Sequence, residues 1–124
     1  MPRILIVAEK AGAFEELARA LDEVPDVEIL WAHDGPAALE KAAAESPDLV
    51  VVDEFVGGGN GLEWIRRLMD VNAFIQTAAV SRQPLDAFHE ASEGLGIMAQ
   101  LPPRPGKFEA KLLLKTLRQL TVAT

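Results

Sequence analysis

The chain has 124 residues, 49% hydrophobic and 25% charged, the profile of one globular domain with a sizeable core. With 12 basic residues against 19 acidic, its net charge of −7 disfavours non-specific nucleic-acid binding, and the absence of cysteine excludes disulfides and thiolate metal sites. No apolar run approaches the roughly 18 residues of a membrane span, and "RILIVA" is too short for a signal-peptide core, so a cytoplasmic location is expected.

In chain order, short apolar runs alternate with segments of helical period. "RILIVA" (3–8), "VEILWA" (27–32), "DLVVVD" (48–53), "FIQTAAV" (74–80) and "IMAQL" (97–101) suit strands buried on both faces of a parallel sheet. The first helix is predicted from Phe14, Leu17, Ala18 and Leu21, the second from Leu39, Ala42 and Ala43, and the third from Leu62, Ile65 and Met69. Asp34 is placed to cap the second helix with Pro36 in its first turn, and Pro47 ends that helix by disfavouring helical geometry at Ser46. The segment around Leu85 and Phe88 carries the weakest helical pattern. The last helix has a complete stripe of Ala110, Leu113, Leu114 and Leu117 facing the sheet, with Phe108 and Leu112 off it. Lys107, Lys111, Lys115 and Arg118 read as a solvated face.

Five successive βα units imply a parallel sheet with right-handed crossovers, in the order 2-1-3-4-5, with helices on both faces. In such a sheet, ligands bind at the carboxyl ends of strands 1 and 3, where the winding direction reverses. Glu9 and Asp53 occupy those ends and are expected to converge. Two close carboxylates repel unless a cation separates them, and Mg²⁺, which prefers oxygen ligands and keeps several waters, is the natural candidate. After Asp53 and Glu54 comes "FVGGGNG", which fits neither G-x-G-x-x-G nor a P-loop. Gly57–Gly59 instead let the chain turn away and leave the Asp53 carboxylate open, and Asn60 is placed to cap the third helix. An ordinary flexible loop with solvated acids is the alternative on these residues alone.

With "ILIVAEK", "HDGPAALEKAAAESPDLVVVDE" and "GGGNGLEWIRRL" in this order and spacing, the chain resembles the receiver domain of two-component response regulators. The resemblance covers about residues 3–121 and implies a single flavodoxin-like domain over residues 1–124. By that resemblance Asp53 is the phosphoacceptor, Ser81 the switch hydroxyl after strand 4, and Pro102 the proline that usually follows a cis peptide. Mg²⁺ would be held by Glu9, Asp53 and the main-chain carbonyl of Phe55. The implied function is phosphorelay signalling through protein contacts rather than catalytic turnover. A histidine kinase or phosphotransfer protein would be the donor and a downstream protein the target. The alternative is an adaptor that works without phosphorylation.

Three positions depart from the family pattern. Ala8 replaces the first acid, Leu101 the lysine that pairs with the phosphoryl group, and Met98 the aromatic switch residue. Arg82, Arg104 and Lys10 all lie off the lysine's register. His33 and His89, on a loop and a helix, have no second ligand at metal spacing. A flavin protein of the same sheet order would need a hydroxyl-rich loop after strand 1, and "AEKAGAF" has none. Phe108 and Leu112 are expected to form an interface with a partner or with a second copy of the chain.

Overall fold

A computed structural model describes residues 2–122. It contains β1 (Arg3–Val7), α1 (Glu15–Asp22, preceded by a 3-10 turn over Ala11–Phe14), β2 (Glu28–Ala32), α2 (Gly35–Glu45) and β3 (Leu49–Val52). A short hairpin follows, β4 (Phe55–Val56) and β5 (Gly59–Asn60), and then α3 (Gly61–Val71). The chain continues through β6 (Gln76–Val80), α4 (Leu85–Ala91), β7 (Ala99–Leu101) and α5 (Lys107–Val122). The large sheet is parallel and runs β2-β1-β3-β6-β7, which is the expected 2-1-3-4-5 once the hairpin's two strands enter the numbering.

Alternation along each strand divides the core between two faces. Ile4 and Ile6 of β1, with Leu49 and Val51 of β3, point to the face covered by α1 and α5, where Phe14, Leu17, Leu21, Leu113 and Leu117 pack. Leu5, Val7, Val50 and Val52 point to the other, where α2, α3 and α4 contribute Ala38, Ala42, Ile65, Leu68 and Phe88. Each large side chain fully buried in this way contributes about 1.5–3 kcal/mol. By contrast, Arg3 pairs with Glu28 and Glu45 at 3.4 Å, but these pairs are exposed and worth at most about 1 kcal/mol each. Apolar packing, not surface charge, holds the layers together.

Capping follows the sequence closely. Asp34 accepts a bond from the Ala37 N–H at 2.8 Å, and Asn60 one from the Leu62 N–H at 2.8 Å. Ser46 ends α2 in the left-handed region, at φ 45°, and Pro47 after it prevents the helix from continuing. Several details differ from expectation. In α2 the residues facing the sheet are Ala38 and Ala42, while Ala43 is exposed, because the small residues sit one position earlier on the face. In α3, Leu68 is buried and Met69 only half-buried. The fourth strand of the sheet starts at Gln76, since Asn72 accepts a bond from the Phe74 N–H and turns the chain before the ladder begins. The final strand, too, is shorter than expected, beginning at Ala99. Finally, no described peptide bond is cis, so Pro102 is not a cis proline. Leu101, buried in the core, precedes it in the trans form that X–Pro bonds favour by default.

Candidate functional site

The register of β1 and β3 sets the site. Val7 pairs with Val52, and the ladder runs one step further, with the Asp53 N–H donating to the Val7 carbonyl at 3.0 Å. Asp53 therefore leaves β3 beside Ala8, at the carboxyl edge of the sheet. Here the chain has no spare room: a Cβ at Gly61 would lie 2.1 Å from the Asp53 carbonyl oxygen, so only glycine lets α3 start against the strand end. The glycine stretch between them is a built hairpin rather than a loose loop. Gly57 and Gly58 both adopt positive φ, 64° and 78°, as the tight turn of a two-residue hairpin demands. The Gly61 N–H donates to the Glu54 carbonyl at 2.8 Å, and the Trp64 indole N–H to the Val56 carbonyl at 3.3 Å, tying the hairpin to α3.

Asp53 is half-buried, and its Oδ1 accepts a bond from the Glu54 N–H at 2.8 Å. Its carboxyl titrates above the ordinary carboxylate value. Burial is the main cause and that N–H opposes it; the Glu54 charge then pushes upward, Arg82 pulls downward, and Glu9 adds a small upward push. A pocket of about 150 Å³ opens over this edge, and Asp53, Glu54, Phe55, Ser81 and Gln83 are among the residues lining it. Asp53 and Ser81 thus share one cavity. Ser81 follows β6 directly, buried, and its Oγ accepts a bond from the Gln83 N–H at 3.1 Å. Phe55 opens β4 opposite Asn60, its ring exposed.

Glu9 lies outside that lining. It emerges exposed after β1, and its Oε1 accepts a bond from the Gly57 N–H. That bond ties Glu9 to the tip of the hairpin. Among the described residues, no group of three or more acidic or histidine side chains gathers to hold a metal ion. Asp53 and Glu9 offer oxygen donors of the kind a hard cation takes, but Glu9 stands outside the pocket that Asp53 and Phe55 line. Pro102 is exposed directly after β7, while Phe108 and Leu112 lie exposed on α5, 74% and 42% respectively.

Two participants went unrecognised in the sequence. Glu54 accepts a bond from the Arg82 N–H at 2.9 Å, with the Arg82 Nε 3.9 Å from its other oxygen. Gln100, in the middle of β7, donates from Nε2 to the Gln83 carbonyl at 2.8 Å and holds the same loop from below. The second acid of "DE" was the available signal for Glu54. For Gln100 it was a single polar residue inside an apolar strand.

No protein-family model matches the chain. Among curated proteins it is similar to a protein-glutamate methylesterase/protein-glutamine glutaminase of Cupriavidus pinatubonensis, 30% identical over 126 residues, covering 95% of this chain and 37% of that protein. Other curated proteins of that name match over about half of this chain, and the matched stretch covers only 20% of their length. Among solved structures, the response regulator domain of Thermotoga maritima CheB aligns with a TM-score of 0.73 and 24% identity, covering 96% of this chain and 95% of that one. The chemotaxis response regulator CheY4 of Vibrio cholerae aligns with a TM-score of 0.80 and 18% identity, covering 94% and 98%. Five parallel strands in this order, an aspartate at the end of the central strand, and these likenesses in fold agree: the chain has the receiver-domain fold of response regulators.

Proposed function

We propose that this domain is a signalling receiver in which Asp53 accepts a phosphoryl group and protein contacts carry the result onward. The supporting observation is the position of Asp53, half-buried at the edge of β3 in the pocket it shares with Ser81. A carboxylate there attacks the phosphorus of a phosphohistidine donor on a histidine kinase or phosphotransfer protein. The oxygen–phosphorus bond forms as the phosphorus–nitrogen bond breaks, and the imidazole leaves with the electron pair. Glu9, Asp53 and the Phe55 carbonyl would hold Mg²⁺, which offsets charge on the transferred oxygens when bound. Burial first, and then the Glu54 and Glu9 charges, raise the Asp53 pKa, and a bound cation would offset that repulsion. In this reading Ser81 donates its hydroxyl proton to a phosphoryl oxygen while its own oxygen holds the Gln83 N–H.

A second reading, an adaptor that works without phosphorylation, is favoured by Leu101. Its side chain is 1% exposed and packed into the α1/α5 face, so it offers the phosphoryl group no charge. The activities named for the curated relatives belong to proteins much longer than the matched stretch, and for this chain we propose a regulatory part in such systems rather than turnover. Phe108 and Leu112 are the proposed contact surface, for a protein target or a second copy.

Intact mass after incubation with Mg²⁺ and acetyl phosphate separates the readings. The receiver reading predicts a gain of one phosphoryl group that Asp53→Asn abolishes. No gain at saturating donor leaves the adaptor reading standing.

A further inference from the structure

The loop after β6 is already closed on an anion. Glu54 Oε2 accepts the Arg82 N–H at 2.9 Å, and Oε1 stands 3.9 Å from the Arg82 guanidinium. The Glu54 side chain is only 17% exposed, although that of Arg82 is 76% exposed, so the carboxylate has been drawn inward against the loop. Two further bonds brace the same three residues: Gln83 N–H to Ser81 Oγ, and Gln100 Nε2 to the Gln83 carbonyl. Glu54 and Asp53 line one pocket, and the Arg82 charge acts on the Asp53 carboxyl as well as on Glu54.

We propose that Glu54 is a resident anion that holds the Ser81–Gln83 loop closed and occupies the donors an anionic group on Asp53 would otherwise take. It is a positioning residue acting through Arg82. The inference builds on the reading of Asp53 as a phosphoryl acceptor and adds how that site is regulated. Main-chain N–H groups and a guanidinium are the natural partners of a phosphoryl group, and both are engaged here by a carboxylate one residue from the acceptor. Phosphorylation of Asp53 therefore exchanges one anion for another. The dianionic phosphoryl repels Glu54 and takes over Arg82, and the loop stays shut while Glu54 is released toward solvent. With Leu101 in place of a cation, Arg82 is the positive charge acting on Asp53, so the competition for it governs how readily Asp53 is modified.

Amide hydrogen exchange on the full chain tests this, comparing the native protein with Glu54→Ala and Arg82→Ala. Glu54→Ala removes the acceptor and is expected to speed exchange of the Arg82 amide by about tenfold, the effect of losing one charge-assisted bond. Arg82→Ala keeps the main-chain N–H and is expected to leave exchange at position 82 near the native rate. Acetyl phosphate with Mg²⁺ is expected to load Glu54→Ala faster than the native chain and to restore slow exchange at position 82. Equal exchange of the Arg82 amide in native and Glu54→Ala protein overturns the proposal. If neither protein takes up phosphoryl, the acceptor reading of Asp53 falls, and the donor-free exchange comparison still decides the role of Glu54.

Discussion

At the scale of single residues, the site is an arrangement of acids that each find a main-chain donor. Asp53 takes the Glu54 N–H, Glu54 takes that of Arg82, and Glu9 takes that of Gly57. Burial raises the pKa of Asp53, and that sets a pH prediction. Its folded pKa lies above its ordinary value of 3.8, first because of burial, so the fold favours the protonated form. The stability this contributes is complete below the unfolded value and is lost as pH rises through the folded one. Asparagine keeps an oxygen for the Glu54 N–H and never ionises. In the absence of divalent cations, the melting temperature of Asp53→Asn relative to native protein should be higher at about pH 7 than at about pH 4. A difference that stays constant, or that runs the other way, contradicts the burial account.

The sequence exposed much of this residue-level pattern. The strand ends that carry Asp53 and Glu9 were legible because the sheet order follows from five alternating βα units, whereas the Glu9 side chain lies outside the pocket that Asp53 lines. The caps at Asp34 and Asn60 were legible because capping is local chemistry. Glu54 and Gln100 were not. Their roles depend on contacts across 28 and 17 positions, and nothing local tells a strand-end acid which loop it will face. Glu9 illustrates the same limit. Its strand end was predictable, but its bond to Gly57 depends on a hairpin that the glycine run did not announce.

At the scale of elements, each helix's position follows from where its small and large residues fall. α2 and α3 approach so closely that a Cβ at Gly35 would lie 2.1 Å from the Trp64 ring. That contact fixes the indole whose N–H ties down the hairpin, and Arg67 covers the same ring, 4.7 Å from its centroid. The α5 stripe packs as its period predicts, with Ala110, Leu113, Leu114 and Leu117 buried. Because Phe108 and Leu112 stand off that stripe, they contribute little to the fold. Replacing both with serine should change stability by no more than about 0.5 kcal/mol each in a denaturant titration. The same variant should shift sedimentation toward monomer, if the patch joins two copies as proposed. An unchanged sedimentation profile together with unchanged partner capture removes α5 as the contact surface.

At the scale of the whole molecule, the two faces of the sheet are built from separate halves of one alternating pattern, and the proposed chemistry sits at the edge where Asp53 leaves β3. The opposite edge, where Phe74 is 92% exposed near Leu120, carries none of the acids that act on Asp53. No described helix is long and apolar enough to cross a membrane. Amide NMR of the full chain, titrated first with Mg²⁺ and then with acetyl phosphate, tests the central claim most directly. The predicted result is that shifts start at Glu9, Asp53, Phe55 and Gly57 and then extend to Ser81 and Arg82, with Phe74 and its neighbours unmoved. Silence at the Asp53 edge under both additions, or shifts centred on the Phe74 edge, would contradict it.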